Sequence, residues 1–436
     1  MDQFLTGDFR TVIKQISMIW SHQIGTEASP ALLKFSNSGN KPLLYGRGSP
    51  ELDFRSIIAK EIIPNKFEGA LPTTIYYQRG FCEIYGQNPD IDSTALMIHV
   101  TSWILRRLIE IQEKNINDYH DSLFLNMYLK PSHMNVTDIK SPFFDNSVSE
   151  LFSFLIPRML KAVKYLQSRD IDGDGLLEQK HNEDWMDTLL RTGKVVYSQA
   201  CWILALKSLS NLLLKLGDQR KASYIRAMAN NAIFAVEQNL WSYDDQCYVD
   251  LFDADLHLDE KMHNRLITQD ISLYLVALTQ GDNEKSSKRI KRFPKKETQI
   301  YDSFIESESD NRALCTLEVL KRRIWKNEIP LVTESEIIKT GPWVLKANEY
   351  HNHTFWAWIT GIEMISRHRY GKIAEFNCLF SKFVSPNKIQ LNMLHEWVDP
   401  ITFDGKGAFP FRTGISSIRL AVLDYMHRRG IELPIN

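Results

Sequence analysis

The six residues NEDWMD, at positions 182 to 187, concentrate carboxyl groups around one indole ring. Glu183, Asp184 and Asp187 can donate or accept protons at a reacting bond, and Trp185 offers a flat apolar surface for the face of a sugar. Cleavage of a glycosidic bond needs both features. A solvated acidic loop with a capping Asp is the alternative interpretation of the same residues.

A second segment, GPWVLKANEYHNHTFWAWITG at positions 341 to 361, is rich in aromatic and imidazole side chains. Trp356 and Trp358 are two residues apart, so they cannot both face one side of a helix. We expect one to pack inward and the other to line a pocket. His351 and His353 alone are weak evidence for a metal site, and we expect no metal there.

A third segment, LHEWVDPITFDGKGAFPFRTG at positions 394 to 414, contains the pair His395-Glu396. A zinc-protease motif is excluded, because Asp399 stands where the second His of HExxH would be. Glu396 therefore lies in a loop rich in aromatic residues, Gly and Pro. A Glu paired with a surface cation, or a purely structural turn, is the alternative interpretation.

The piece DIDGDG at positions 170 to 175 resembles the beginning of an EF-hand loop. His181 stands where the bidentate Glu of that loop is required, so an Asx-type turn is favoured. A calcium ion held by Asp170, Asp172 and Asp174 is the alternative, and we expect no other cofactor.

The elements that carry these segments are predicted to be helices, because apolar residues recur at intervals of three and four. The predicted helices span 92–113, 147–166, 195–216, 221–240, 267–278, 311–325, 353–367, 373–384 and 415–427. Alternating strand patterns are scarce. The sequence predicts an all-α chain whose paired helices form a bundle, a solenoid or a closed α/α toroid, and the lack of a fixed repeat disfavours the solenoid.

The whole-chain composition excludes several classes. Lys and Arg (52) nearly balance Asp and Glu (53), so no nucleic-acid partner is expected. The 5 Cys are widely spaced, which disfavours a disulfide framework. No apolar run is long enough for a membrane span and no signal peptide is evident, so a cytoplasmic protein without a membrane partner is expected. The basic stretch 281–299 is interpreted as a solvated insertion.

In this order, the three segments resemble the catalytic domain of the amylo-α-1,6-glucosidase/glycogen-debranching family and its α/α-barrel relatives, which include trehalases and mannosylglycerate or glucosylglycerate hydrolases. The resemblance covers about residues 70 to 430. It implies an (α/α)6 barrel in a single catalytic domain at 46–436, preceded by an arm or first helix at 1–45. NEDWMD looks like the W-M-D segment that carries the family's general acid, which implies that role for Asp187. HEWVDP looks like the segment of the general base, which implies that role for Glu396.

The resemblance also implies contacts with a carbohydrate substrate. The residues implied are Tyr85, Asp92, Asp184, Trp185, Lys194, Gln199, Trp343, Tyr350, His351, Asn352, Trp356, Trp358 and Phe409. The family inverts anomeric configuration, so the expected activity is an inverting hydrolysis of an α-glycosidic bond with its two carboxyl groups about 6.5–9.5 Å apart. An α/α-barrel glycoside phosphorylase and a non-catalytic carbohydrate-binding helical protein are the alternatives.

Overall fold

The computed structural model describes residues 9–25, 31–34, 67–76, 81–84, 88–117, 148–180, 182–189, 191–251, 267–280, 298–334, 346–384 and 395–431. Its helices are α1 Phe9–Ser21, α2 Ile91–Asn117, α3 Val148–Gln167, α4 Val196–Lys215, α5 Gln219–Asn239, α6 Ser272–Leu278, α7 Thr298–Ile324, α8 Ala357–Arg369, α9 Ile373–Val384 and α10 Arg412–Arg428, with a 3-10 helix at Gln269–Ile271. The all-α class predicted from the sequence is confirmed, and the mainly helical composition agrees with an (α/α)6 architecture.

The strands are short and lie between the helices. They are β1 Ala31–Lys34, β2 Thr74–Tyr76, β3 Phe81–Ile84, β4 Trp241–Ser242, β5 Cys247–Tyr248, β6 Trp325–Lys326, β7 Ile329–Pro330, β8 Trp397–Val398 and β9 Gly405–Lys406. β1 pairs parallel to β3, and β2 pairs antiparallel to β3. The remaining strands form two-stranded antiparallel hairpins.

The chain divides into two compact units. Among the described residues, the first comprises those up to Asp172 together with Leu204–Asn230, and the second comprises Gly173–Ile203 and those after Asn230. The predicted boundary between an N-terminal arm and a catalytic domain, at 45/46, lies outside the described residues, as do positions 281–297 of the basic stretch. Within the described ranges, no helix combines the length and apolar character needed to cross a membrane.

In the first unit, α3 packs against α1 and α2. The fully buried Trp20 of α1 donates its indole N–H to the hydroxyl of Thr101 in α2, at 2.9 Å. Asp218 precedes α5 and accepts a hydrogen bond from the backbone N–H of Lys221 at 3.1 Å, which is a typical N-terminal cap. Polar contacts thus fix the positions at which these helices begin and cross.

In the second unit, α8 packs against α6, α9 and α10. The apolar core between these elements comprises Val276, Ile329, Leu331, Phe355, Met364, Phe376, Leu379, Phe383, Val398 and Ile418. Phe355 and Val398 are among the core residues that belong to the predicted functional segments. Phe355 and Val398 exchange backbone hydrogen bonds of 3.2 and 2.9 Å, which fixes the aromatic segment beside the Glu396 loop.

Candidate active site

The segment from Asp184 to Arg191 forms a tight turn in the second unit. One carboxylate oxygen of Asp184 accepts the backbone N–H of Met186 at 2.9 Å, and the other accepts the side-chain amide of Gln179 at 2.8 Å. The N–H of Leu189 donates to the carbonyl of Met186 at 3.0 Å. Asp184, which the sequence suggested as a substrate contact, therefore folds the turn that carries Asp187.

Arg191 ends this turn among three buried carboxylates. Its guanidinium lies 2.7 Å from Asp270, 3.1 Å from Asp250 and 3.4 Å from Asp184. Burial raises the pKa of Asp184 and of Asp250, and the charge of Arg191 opposes that rise. Burial also disfavours the charge on Arg191, but the three carboxylates outweigh it and raise the pKa of Arg191 well above its ordinary value.

Asp187 keeps 13% of its side chain exposed and lies beside the buried ring of His351, with Oδ1 and Nδ1 3.7 Å apart. That distance is too long for a hydrogen bond. Nδ1 instead lies at hydrogen-bond distance, 2.8 Å, from the hydroxyl of Thr188. Burial, and to a lesser extent the charge of Arg191, lowers the pKa of His351 to about 3, so the ring is neutral and forms no ion pair with Asp187.

Trp185 is surrounded by other aromatic side chains. Its ring meets those of Trp358, His351 and Trp356 edge to face, with centroids 4.6, 5.1 and 5.6 Å apart. Its indole N–H donates to the carboxylate of Asp270 at 2.9 Å. Trp185 is half-buried, so part of its ring remains available to a ligand.

Trp356 and Trp358 divide as expected in burial, because Trp356 is buried and Trp358 half-buried. Both rings nevertheless contact Trp185. The argument from helical spacing does not apply here, since Trp356 precedes α8 in an extended conformation. Its ring stacks on His351 with centroids 4.8 Å apart.

Glu396 is buried immediately before strand β8. One carboxylate oxygen accepts the phenol O–H of Tyr350 at 3.3 Å, and the other accepts the backbone N–H of Ala408 at 2.9 Å. The N–H of Glu396 donates to the carbonyl of Ala408 at 3.1 Å, so the β8–β9 hairpin closes at this residue. Both oxygens of Glu396 are therefore held by donors of fixed position.

The structure brings both candidate carboxyl groups to one pair of rings. Tyr350, which contacts Glu396, and His351, which lies beside Asp187, are consecutive, and their ring centroids are 4.3 Å apart. Trp185 and Trp356 contact the ring of His351, and Trp358 contacts Trp185. These five aromatic residues form the aromatic cluster. Two carboxyl groups at one aromatic cluster can supply one acid and one base.

Other predicted residues make backbone or peripheral contacts. Gln199 is buried and bonds both the N–H and the carbonyl of Leu177, at 2.8 and 2.7 Å. The side-chain amide of Asn352 donates to the carbonyl of Lys346 at 3.2 Å. These side chains therefore stabilise loops next to the site.

Lys194 is half-buried, as Trp185 and Trp358 are, whereas Phe409 is exposed. The ammonium group of Lys194 lies 2.6 Å from Asp174. Phe409 is 62% exposed, and its ring lies against that of His395, with centroids 4.7 Å apart. Asp92 is buried in the first turn of α2, in the first unit. Tyr85 and Trp343 lie outside the described residues.

The acidic piece from Asp170 to Asp174 adopts a compact turn. Each of its three Asp residues offers a carboxylate oxygen within 4.8 Å of the other two, and Asp172 and Asp174 are exposed. An oxygen of Asp174 accepts the N–H of Leu176 at 3.0 Å, which is an Asx-type contact. The calcium alternative at these residues stays a prediction.

Several residues at the site were not predicted from the sequence. Arg191 and Thr188 follow Asp187 in the same segment, so their proximity could have been inferred. Asp250 and Asp270 lie far from that segment along the chain. Only Thr268-Gln269-Asp270, a polar run at the start of an otherwise apolar predicted helix, gave a signal that could have been noticed.

No protein-family model and no curated protein matches this chain. Among solved structures, it is similar to a GH63 mannosylglycerate hydrolase from Thermus thermophilus in complex with glucose, with a TM-score of 0.49 and 14% identity over 81% of this chain and 84% of that chain. It is also similar to a glucoamylase from Saccharomycopsis fibuligera (TM-score 0.48, 11% identity, 80% and 73% covered) and to a rhamnosidase from Klebsiella oxytoca with rhamnose bound (0.45, 11%, 83% and 51%). Because these similarities are weak, the chemistry of the site is inferred from the geometry of its own residues.

Proposed function

We propose that this protein is an inverting glycoside hydrolase that cleaves an α-glycosidic bond. Asp187 acts as the general acid and Glu396 as the general base. The observation that carries the proposal is the placement of these two carboxyl groups at the adjacent rings of Tyr350 and His351, within one aromatic cluster. The resemblance of their segments to those of α/α-barrel glycosidases assigns the same roles to the same residues.

In the proposed reaction, each carboxyl group has one role. Asp187 gives its proton to the glycosidic oxygen as that oxygen leaves the anomeric carbon. Glu396 takes a proton from a water molecule whose oxygen attacks the same carbon from the opposite face, which inverts its configuration. The neutral ring of His351 places no positive charge beside Asp187, which suits a carboxyl group that must hold its proton until the bond breaks.

The aromatic cluster supports a carbohydrate as the substrate. Trp185 and Trp358 are half-buried and their rings are perpendicular to one another, so both retain some exposed surface. The resemblance points to glucose or a related hexose in α linkage, as an oligosaccharide or a small glycoside.

The test begins with a panel of α-glucosides, α-mannosides, trehalose and glycosylglycerates, with the product's anomeric form followed by proton NMR. The first product should carry the inverted configuration. Asp187→Asn and Glu396→Gln preserve shape but remove the acid or the base, so each should lower kcat by about 10²–10⁴-fold while the protein stays folded. Azide should restore turnover of Glu396→Gln alone, as a glycosyl azide.

Asp404→Asn is the matched control, because Asp404 lies in the same hairpin and its carboxylate accepts only a local bond from the Thr402 hydroxyl at 2.9 Å among the contacts described. It should keep wild-type kcat. A product of retained configuration would reject the assignment of Glu396 as base. Full activity of both carboxyl variants would reject the proposal itself.

A further inference from the structure

Asp270 is a buried carboxylate that contacts Trp185 of the aromatic cluster and the neighbouring Arg191 and Thr268. It is fully buried in the 3-10 helix Gln269–Ile271, directly before α6. A carboxylate so placed is costly unless donors surround it. Three donors do so here, and two of them belong to the segment that carries Asp187.

The three hydrogen bonds divide between the two carboxylate oxygens. Oδ2 accepts the indole N–H of Trp185 at 2.9 Å and the guanidinium of Arg191 at 2.7 Å. Oδ1 accepts the hydroxyl of Thr268 at 2.6 Å. Since Thr268 orients the carboxylate, its second oxygen stays aimed at Trp185 and Arg191.

These two partners enclose Asp187 along the chain, at two residues before it and four residues after it. Between them the backbone turns through hydrogen bonds from Leu189 to Met186 at 3.0 Å and from Arg191 to Leu189 at 2.9 Å. One carboxylate oxygen therefore fastens both ends of a seven-residue loop. Asp187, the third residue of that loop, is the proposed general acid.

We propose that Asp270 is a positioning residue for Asp187, which fixes Trp185 and Arg191 and thereby sets the location of the acid. This inference rests on the proposed function. Asp270 acts through the loop and has no role in proton transfer. Displacement of a reacting group by about 1 Å can cost about 10²-fold in rate, so loosening this contact should be visible in kinetics.

The kinetic test compares Asp270→Asn with Asp187→Asn on two glycosides of whichever sugar is turned over. The methyl α-glycoside needs its leaving oxygen protonated, whereas the 2,4-dinitrophenyl α-glycoside hardly does. A displaced acid should therefore lower kcat on the methyl glycoside by about 10–100-fold and on the dinitrophenyl glycoside by less than about 3-fold. Asp187→Asn should show the same selectivity more strongly.

A spectroscopic measurement tests the contact without any substrate. The chain has 10 Trp, and the indole N–H signal that disappears in Trp185→Phe identifies Trp185. Asp270→Asn should shift that signal upfield, because its indole N–H then loses a charged acceptor. The signals of the other indoles should move little.

Glu237→Gln is the matched control. Glu237 is also a buried carboxylate that accepts two aromatic O–H groups, from Tyr248 and Tyr274, and the guanidinium of Arg312. Its loss should change kcat on both glycosides by the same factor.

Thr268→Val is a milder second variant, which keeps the carboxylate of Asp270 and removes only the bond that orients it. Thr268→Val should show the same dependence on the leaving group with a smaller loss of kcat. It therefore provides the test if Asp270→Asn does not fold.

The outcomes separate the two proposals. In one outcome, Asp187→Asn loses more kcat on the methyl glycoside than on the dinitrophenyl glycoside, while Asp270→Asn and Thr268→Val lose kcat equally on both. Asp270 then has only a structural role and the inference is overturned. If Asp187→Asn itself shows no selectivity, the proposed function fails and the inference with it. An unmoved Trp185 signal in Asp270→Asn would remove the contact on which the inference depends.

Discussion

At the scale of single residues, the orientation of the Glu396 carboxylate depends on Gly407, which lies opposite it in the β8–β9 hairpin. Gly407 has a φ of +72°, and a Cβ built on it would lie 2.5 Å from Oε2 and 2.8 Å from the Cβ of Glu396. No side chain fits between those atoms. The hydrogen bond from the next residue, Ala408, to the same carboxylate requires this close approach.

Gly407→Ala is therefore expected to displace the carboxylate of Glu396. Base catalysis is needed for every leaving group, so kcat should fall by about 10-fold or more on both activated and unactivated glycosides. The left-handed backbone adds about 1 kcal/mol of destabilisation. Steady-state kinetics and urea unfolding measure the two effects separately.

Gly371→Ala is the control for the backbone effect. Gly371 has a similar φ of +77°, but a Cβ there meets nothing within 4 Å. It should lose only the roughly 1 kcal/mol of the backbone effect, with an unchanged kcat. Equal kcat in the two variants would show that Gly407 does not set the position of Glu396.

The sequence predicted the candidate carboxyl groups more readily than the residues that hold them. Asp187 and Glu396 stand in short segments with unusual local composition, which a reader can find without any knowledge of the fold. Asp270 and Asp250 contact Arg191 only because distant parts of the chain meet. The polar run at Asp270 marks that residue as unusual, but it does not show that Asp270 contacts Arg191.

At the scale of elements, helical spacing located α9 at its observed bounds but placed the start of α8 too early. The prediction began at His353, whereas the helix begins at Ala357. Tyr350 and His353 have φ of +51° and +60°, which is incompatible with a helix. Local backbone geometry of this kind leaves no trace in the spacing of apolar residues.

The β8–β9 hairpin was also beyond prediction. Its strands have two residues each, which is too short for an alternating pattern to be recognised. Yet this hairpin and its bridge to Phe355 bring Glu396 beside Tyr350. The elements that assemble the site are thus the ones with the weakest sequence signal.

Gly361 allows helices α8 and α10 to pack closely against each other. A Cβ at this position would lie 2.5 Å from the carbonyl carbon and 2.7 Å from the carbonyl oxygen of Ser417. Gly361→Ala gains about 1 kcal/mol of helix propensity, but overpacking against backbone costs about 1–3 kcal/mol. Since backbone atoms cannot rotate away, we expect the clash to dominate and the urea midpoint to fall.

The Ser417→Ala background shows which atoms cause that clash. It removes the hydroxyl and leaves the carbonyl group in place, so the loss caused by Gly361→Ala should persist. A stabilised Gly361→Ala protein would mean that the two helices separate without cost.

At the scale of the whole molecule, a formal net charge of −1 conceals charge buried in the second unit. Arg191 is one example, and Arg367 is another, since it lies fully buried against Glu363 at 2.6 Å. Composition cannot reveal such pairs, because exposed charges contribute to the total in the same way. They nevertheless determine how the free energy of unfolding varies with pH.

Titrating groups of the second unit act in opposite directions. Burial raises the pKa of Asp184 and Asp250, which favours the folded state at acidic pH. Burial also disfavours the ionised form of Asp424, but its hydrogen bonds with Arg369 and His368 dominate and hold its pKa far below the usual value, so its contribution to stability is lost in acid. The contribution of one group must therefore be measured by comparing variants.

Protonation of His351 in the unfolded state should lower the free energy of unfolding in mild acid, and a His351 variant can separate this effect from those of the carboxyl groups. Its ring stays neutral in the folded protein down to a pKa of about 3, whereas an unfolded His takes up a proton below about pH 6.5. Between these values the unfolded state binds one more proton, so stability falls as the pH falls, by about 1.4 kcal/mol per pH unit. His351→Asn retains a polar atom near Thr188 and cannot be protonated, so its unfolding free energy should decline less steeply from pH 6 to pH 4.

The exposed His427 offers the comparison that assigns this effect to burial. His427→Asn replaces an exposed ring and so measures what removing a His outside the core contributes to that decline. Urea unfolding at several pH values gives the three slopes, and absolute stability does not enter the comparison. Equal slopes for wild type and His351→Asn would mean that the buried ring accepts a proton in the folded protein. His351 would then be a cation beside Asp187, and the case for a neutral neighbour of the general acid would be lost.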